Sequence, residues 1–175
     1  MVVGVSGSGK TTAAEFLARV QGVPHVELDA LHWEPNWQQA KLEVFRTRVE
    51  DALSGPAWVV DGNYSKSRDL TWGRATTLVW LDYSLAVTLW RLISRTIGRV
   101  VHRETLWNGN QESLRNALWG RDALIWWAIR SYQRHRKDYP QLLTCPDYAH
   151  LQVIHIRSPR EADAWFERLV KEAAL

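Results

Sequence analysis

The chain has 175 residues, 46% of them apolar, a single cysteine and a net charge of +3. These values point to one globular domain with a substantial core and exclude an intrinsically disordered chain. The lone thiol, Cys145, excludes an intramolecular disulfide and speaks against a cysteine-based metal site. The apolar runs are too short to span a bilayer and no signal-peptide pattern opens the chain, so a cytoplasmic protein is expected.

Residues 2–5 are β-branched apart from Gly4 and predict a first, buried strand. Residues 4–11 read G-V-S-G-S-G-K-T, a complete match to the phosphate-binding pattern G-x-x-x-x-G-K-[ST]. Each residue type has a reason. Gly4, Gly7 and Gly9 allow backbone N–H groups to turn inward as an anion nest, with Ser6, Ser8 and Thr12 completing the cradle. Lys10 brings a point charge to the β- and γ-phosphates, and the Thr11 hydroxyl is placed to ligate Mg²⁺. The helix expected over 10–21 adds the positive end of its dipole. Gly22 and Pro24 stop that helix.

Strand and helix then alternate. A strand over 25–28 ends at Asp29, and a helix over 38–53 is stopped by Gly55-Pro56. A strand over 57–60 ends at Asp61-Gly62, and a strand over 76–81 ends at Asp82. A helix over 84–97, a polar loop to about 110 and a helix over 112–135 follow. A strand over 150–156 and a helix over 159–173, with Pro159 in its first turn, close the chain. Strands separated by helices imply right-handed crossovers, a parallel sheet covered on both faces, and a ligand site at the carboxyl ends of the strands. The glycine-rich loop, Asp29, Asp61 and Asp82 all fall at those ends.

Asp61, after an apolar strand, is the expected Mg²⁺ partner, through water. Asp29 is expected to meet a phosphoryl acceptor as base or hydroxyl anchor, whereas Asp82 reads as structural. Trp33 and Trp37, in the loop after Asp29, could stack on an acceptor ring or cover the core. Residues 91–136 hold nine arginines against three acids, a local net charge of +6. Arg99 and Arg103 are expected in a mobile lid that closes on the transferring phosphates, and Arg115 is a further lid candidate. Arg91 and Arg95 read as part of the supporting helix. Trp126-Trp127 reads as core or subunit contact, compatible with a monomer or a homodimer.

The runs L-D-A-L-H-W-E-P-N-W at 28–37, V-V-D-G-N-Y-S at 59–65 and L-W-N-G-N-Q-E-S-L at 106–114 resemble the family described as DNA topology modulation proteins (FlaR-type), P-loop kinases related to adenylate kinases. The resemblance covers nearly the whole chain. It implies a P-loop NTPase domain over 1–175. The fold would be a three-layer α/β/α arrangement with a five-stranded parallel sheet in the order 2-3-1-4-5 and a helical lid inserted at about 98–115. In this fold Arg157, after the last strand, borders the adenine of ATP. The chain departs from true adenylate kinases on the acceptor side: Asn63-Tyr64-Ser65 replaces their Phe-Pro-Arg run, and Leu28-Asp29-Ala30 their Thr-Gly-Asp element. The expected function is an ATP-dependent phosphotransferase using Mg-ATP and a small-molecule acceptor, nucleoside monophosphates first. The alternatives are an NTP-binding protein associated with nucleic acid, or a nucleotide switch without turnover.

Overall fold

A computed structural model describes residues 1–113 and 124–173. Five strands form one all-parallel sheet: β1 (Val2–Gly4), β2 (His25–Glu27), β5 (Val59–Asp61), β6 (Thr77–Leu81) and β7 (Gln152–Ile156), side by side as β2-β5-β1-β6-β7. Counted within this sheet alone, that is the order 2-3-1-4-5. Two short strands, β3 (Trp33–Glu34) and β4 (Gln38–Gln39), pair antiparallel in a separate hairpin.

Alternation along the strands assigns the two faces. Val3, Val60, Leu78 and Trp80 point into one core with Phe45, Val49 and Leu53 of helix α3 (Leu42–Ala52) and with Tyr139. Val2, Val59, Val79 and Leu81 point into the other, with Ala14, Leu17 and Ala18 of α1 (Lys10–Gln21) and Ala162 of the last helix. A period of two on strands packed on both sides produces three layers.

Boundaries moved where tertiary contacts compete. The second strand stops at Glu27, and a one-turn helix, α2 (Leu28–His32), takes over from Leu28. Leu28 is fully buried against Gly62, where any Cβ would meet Leu28 Cβ at 2.8 Å. Helix α3 starts at Leu42 rather than residue 38, because Gln38 and Gln39 pair with Glu34 and Trp33. After the short helix α4 (Arg68–Thr71), helix α5 (Leu85–Val101) outlasts its expected end; the Ser84 hydroxyl caps it by accepting from Val87 N–H. Helix α6 (Leu124–Leu143) runs past His135 and through Pro140, since Ala128, Ser131, His135 and Tyr139 form one buried stripe that carries it onward. The expected close fits: Gly22 ends α1 in a left-handed conformation, and α7 (Pro159–Ala173) begins at its proline. No helix among the described residues is long and apolar enough to cross a membrane.

His135 is buried and stacked on Tyr139 at 4.6 Å, and its Nδ1 finds no hydrogen-bond partner among the described residues. Burial first, and the Arg134 charge second, push its pKa down to about 4. The unfolded chain, with an ordinary histidine, therefore binds more protons between about pH 4 and 6.5. The stability that His135 contributes in its neutral form is present above pH 6.5 and lost on acidification through that window, by up to about 3 kcal/mol. Urea midpoints measured at pH 7.5 and 4.5 should fall further for the wild type than for His135→Phe.

Candidate functional site

The loop between β1 and α1 is shaped by two left-handed glycines. Gly7 has φ 86° and a Cβ there would sit 2.2 Å from the Thr88 carbonyl oxygen; Gly9 has φ 84° and is the N-cap of α1. Lys10 is consequently the first helical residue, at the positive end of the α1 dipole. Asn63 holds the loop's other end: its Nδ2 donates to the Gly4 carbonyl at 2.6 Å and its Oδ1 accepts the Gly4 N–H at 3.2 Å. Tyr139 OH donates to the same Oδ1 at 3.1 Å. The Ser8 hydroxyl, 1% exposed, has no partner among the described residues.

Behind the loop lies Asp61, with no exposed surface. Thr11 Oγ1 donates to its Oδ2 at 2.8 Å, and His25 Nε2 stands 2.7 Å from its Oδ1. The Asp61 hydrogen bond, more than any other influence, raises the His25 pKa. Glu27 is in register with Asp61 on the neighbouring strand, and its Oε1 accepts from the Thr11 hydroxyl at 3.5 Å. Burial raises the Glu27 pKa against the lowering effect of a hydrogen bond from Trp107.

These groups open onto a cleft of about 1520 Å³. On one side it is lined by Phe16, Tyr83, Pro159, Ala162 and Phe166, an apolar end beside α1 and α7. On the other it is lined by Glu27, Asp29, His32, Tyr64 and the tryptophans Trp33, Trp37 and Trp107. Asp29, on the first turn of α2, accepts from Tyr64 OH at 2.6 Å; burial, then the Asp29 charge, raises the Tyr64 pKa. His32 packs among Trp33, Phe45 and Tyr64, and burial lowers its pKa.

The segment after α5 folds back over this second side. A bridge between Thr105 and Gln111 closes a tight turn with Asn108 and Gly109 at positive φ. Asn110, 3% exposed, accepts from Trp37 N–H at 2.8 Å and donates to the Glu34 carbonyl at 2.9 Å. Asn108 donates to the Trp33 carbonyl. Trp107 Nε1 donates to Glu27 Oε2 at 2.7 Å. The segment expected as a lid is thus tied, by its asparagines and one indole, to the β3–β4 hairpin and to Glu27.

Of the expected site residues, Ser6, Gly7, Ser8, Gly9, Lys10, Thr11, Thr12, Asp29 and Arg99 line the one cleft, and Gly4 and Asp61 support it from behind. Arg99 does so already paired, 2.9 Å from Glu112 and 3.6 Å from Glu104. Arg103 does not reach the cleft: α5 ends at Val101, and Arg103 turns out to solvent at φ 50°. Arg157 is also exposed and outside the lining, its backbone N–H donating to Glu161 in the turn that starts α7. Arg115 lies outside the described residues. Asp82 is outside the cleft lining, held by Arg136 at 2.9 Å and His155 at 3.1 Å.

Arg91 and Arg95 line the cleft instead of merely supporting the helix, and Arg134 joins them. Arg91 lies over the Tyr83 ring at 5.3 Å. Arg95 is exposed to the cleft; desolvation by the cleft walls, then the Arg99 charge, lowers its pKa, against the pull of Glu112, Asp29 and Glu27. His25 and Glu27 were not singled out from the sequence, and Asn63 and Tyr64 were noted only as part of the acceptor-side departure from adenylate kinases. His25 and Glu27 did carry a signal, since residues two apart on a strand share a face; nothing local announces that this face meets Asp61.

The donor set for a cation is hard oxygen. Among the described residues no three His, Cys, Asp or Glu side chains form a metal cluster, and Asp61, bonded to Thr11, stands behind the cleft lining. The Thr11 hydroxyl with the carboxylates of Asp61 and Glu27 beside it, completed by phosphate oxygens and water, suits Mg²⁺ better than a self-sufficient protein site.

No family model matches the chain, and no curated protein matches it.

Replacing Asn63 by alanine removes both bonds to Gly4 and leaves the Gly4 N–H and carbonyl unpaired. Urea denaturation should show a loss of about 1–3 kcal/mol. The loop around Gly7 should at the same time become the new site of limited proteolysis.

Proposed function

We propose that the protein is an ATP-dependent phosphotransferase, a P-loop kinase related to adenylate kinases as the sequence resemblance implies. The observation that carries this is the junction of β1 and α1: a glycine-rich loop turned by two left-handed glycines, Lys10 at the helix N-terminus, and a Thr11 hydroxyl bound to a fully buried Asp61. Backbone N–H groups, a helix dipole and a lysine converging on one concavity are suited to a polyphosphate. The apolar end of the cleft, with Phe16, Ala162 and Phe166, suits a base. The opposite end, reached past Asp29, suits an acceptor.

On this reading Lys10 and Arg95 neutralise charge on the transferring phosphoryl group, and Asp61 orients Thr11. A magnesium ion held by Thr11, with Asp61 behind it, would neutralise and orient the β- and γ-phosphates. Arg99, tied to Glu112, holds the wall of the cleft. The hairpin and the 105–111 turn exclude water from the acceptor side, which strengthens every charge interaction there. Catalysis of this kind is positioning and electrostatics. Arg91, Arg95, Arg99 and Arg134 all line the cleft, an arrangement that favours a phosphate-bearing small molecule over a nucleic-acid backbone as the object of the basic segment.

Lys10→Ala should bind Mg-ATP more weakly in calorimetry and lose acceptor-dependent ADP release by about 100-fold or more. Wild-type protein that binds no nucleoside triphosphate would sink the proposal. Tight binding with no turnover would make the protein a nucleotide switch.

A further inference from the structure

In a chain with 11 tryptophans most are expected in the core, yet Trp33, Trp37 and Trp107 belong to neither core cluster. All three are half-buried and line the cleft beside Asp29. They meet edge to face, Trp33 and Trp37 at 5.5 Å and 79°, Trp37 and Trp107 at 6.2 Å and 83°, so neither pair is stacked face to face. The Trp37 indole N–H is spent on the Gln111 carbonyl, and that of Trp107 on Glu27. What these two rings retain for a ligand is apolar surface.

The polar groups around them are the uncharged Gln39 and Ser65, one lysine, Lys66, and three carboxylates. Glu27, Asp29 and Glu112 line the same side, and Glu112 already holds Arg99. Asp29 Oδ1 is occupied by Tyr64 OH, while its Oδ2 has no hydrogen-bond partner among the described residues. His32, 7% exposed, also borders the cleft, its Nδ1 without a hydrogen-bond partner among the described residues. Arg95 lines the same cleft and has no ion-pair partner among the described residues, which leaves it for the transferring group. A second phosphate, on the acceptor, would be brought against Glu27 and Asp29, and like charges at contact distance cost free energy at any dielectric. An uncharged hydroxyl donates to a carboxylate instead.

We infer that the acceptor is a neutral, hydroxyl-bearing ring, either a free sugar or cyclic polyol or the ribose of an unphosphorylated nucleoside, which packs against Trp33, Trp37 and Trp107 and presents one hydroxyl to Asp29. The inference rests on the phosphotransferase reading and names the substrate class of that site. It displaces nucleoside monophosphates from first place among acceptors. In the step, the acceptor O–H bond breaks and its proton passes to Asp29 Oδ2. The acceptor oxygen forms a bond to the γ-phosphorus, and the bond from that phosphorus to the β–γ bridging oxygen breaks, its electron pair leaving with the nucleoside diphosphate. Asp29 is then a catalytic residue, and Tyr64 a positioning residue that holds its other oxygen.

The test is one panel on the full chain with Mg-ATP, read by ADP release and, in parallel, by calorimetric binding. One arm holds neutral hexoses, pentoses and cyclic polyols, a second neutral nucleosides, a third the monophosphates of both. The expected result is turnover in the first or second arm, which also identifies the source of the ring, and none with the matching monophosphate. Asp29→Asn should then lower kcat by about 100-fold or more with KM little changed, and Trp37→Leu should raise KM about tenfold with kcat little changed. Trp37→Phe, which keeps an aromatic face, should recover most of that KM. Turnover with a monophosphate, or ATP binding and hydrolysis beside a flat panel with no calorimetric binding in either neutral arm, overturns the inference and leaves the phosphotransferase or nucleotide-binding reading standing. A neutral ring that binds without any ADP release supports the ligand class and removes the phosphotransferase reading.

Discussion

A carboxylate that solvent does not touch organises this molecule. Asp61 is fully buried between the sheet and α1, and a buried charge is tolerated only where hydrogen bonds and partners repay its desolvation. Thr11 supplies one such bond and His25 the other, at 2.8 and 2.7 Å. Through Thr11 the strand β5 grips the first turn of α1. Through His25 it grips β2, which is also its neighbour in the sheet. The position of the glycine-rich loop, and hence of Lys10, follows from where this carboxylate sits. The Gly7 backbone, pressed against Thr88, leaves that loop little freedom to sit elsewhere.

The three residues that follow carry the rest of the frame. Gly62 makes room for Leu28, which ends β2 and turns Asp29 onto a helical first turn. Asn63 closes a two-way clamp on Gly4, and Tyr64 reaches over to Asp29. Four consecutive residues thus connect the loop that suits a polyphosphate with the side that suits an acceptor. Displacing β5 would disturb both ends of the cleft together, which is the coupling a group-transfer site needs.

The β3–β4 hairpin and the 105–111 turn do for the far side what Asp61 does for the near one. Neither has a hydrophobic core of its own. Their mutual attachment is mainly polar, through Asn108, Asn110 and the Trp37 indole N–H, with one edge-to-face contact between Trp37 and Trp107, and Trp107 is tied to Glu27. Segments held by few apolar contacts sit at the low-stability end of a structure, where parts that open and close are found. The arginines of α5 divide according to this geometry. Arg91, Arg95 and Arg99 face the cleft while α5 is helical, and Arg103 is lost to solvent once the helix has ended.

How much was legible beforehand depended on the range of the interaction involved. The alternation of strand and helix, the glycine-rich loop with Lys10 and Thr11, Asp61 at a strand end, and the Gly22 and Pro159 boundaries are local in origin. Period, glycine chirality and proline geometry act within a few residues, so the sequence alone determined them. Contacts between distant residues decided the rest. The second strand yielded to a helical turn because Leu28 had a cavity waiting at Gly62. Helix α6 ran through Pro140 because its buried stripe outweighed one missing hydrogen bond. His25 met Asp61, Trp107 met Glu27 and Arg95 entered the cleft across separations of 36, 80 and more than 60 residues. Such pairings carry no signature in either partner's neighbourhood. Only the packing of the sheet, which sets which side chains share a wall, brings them together.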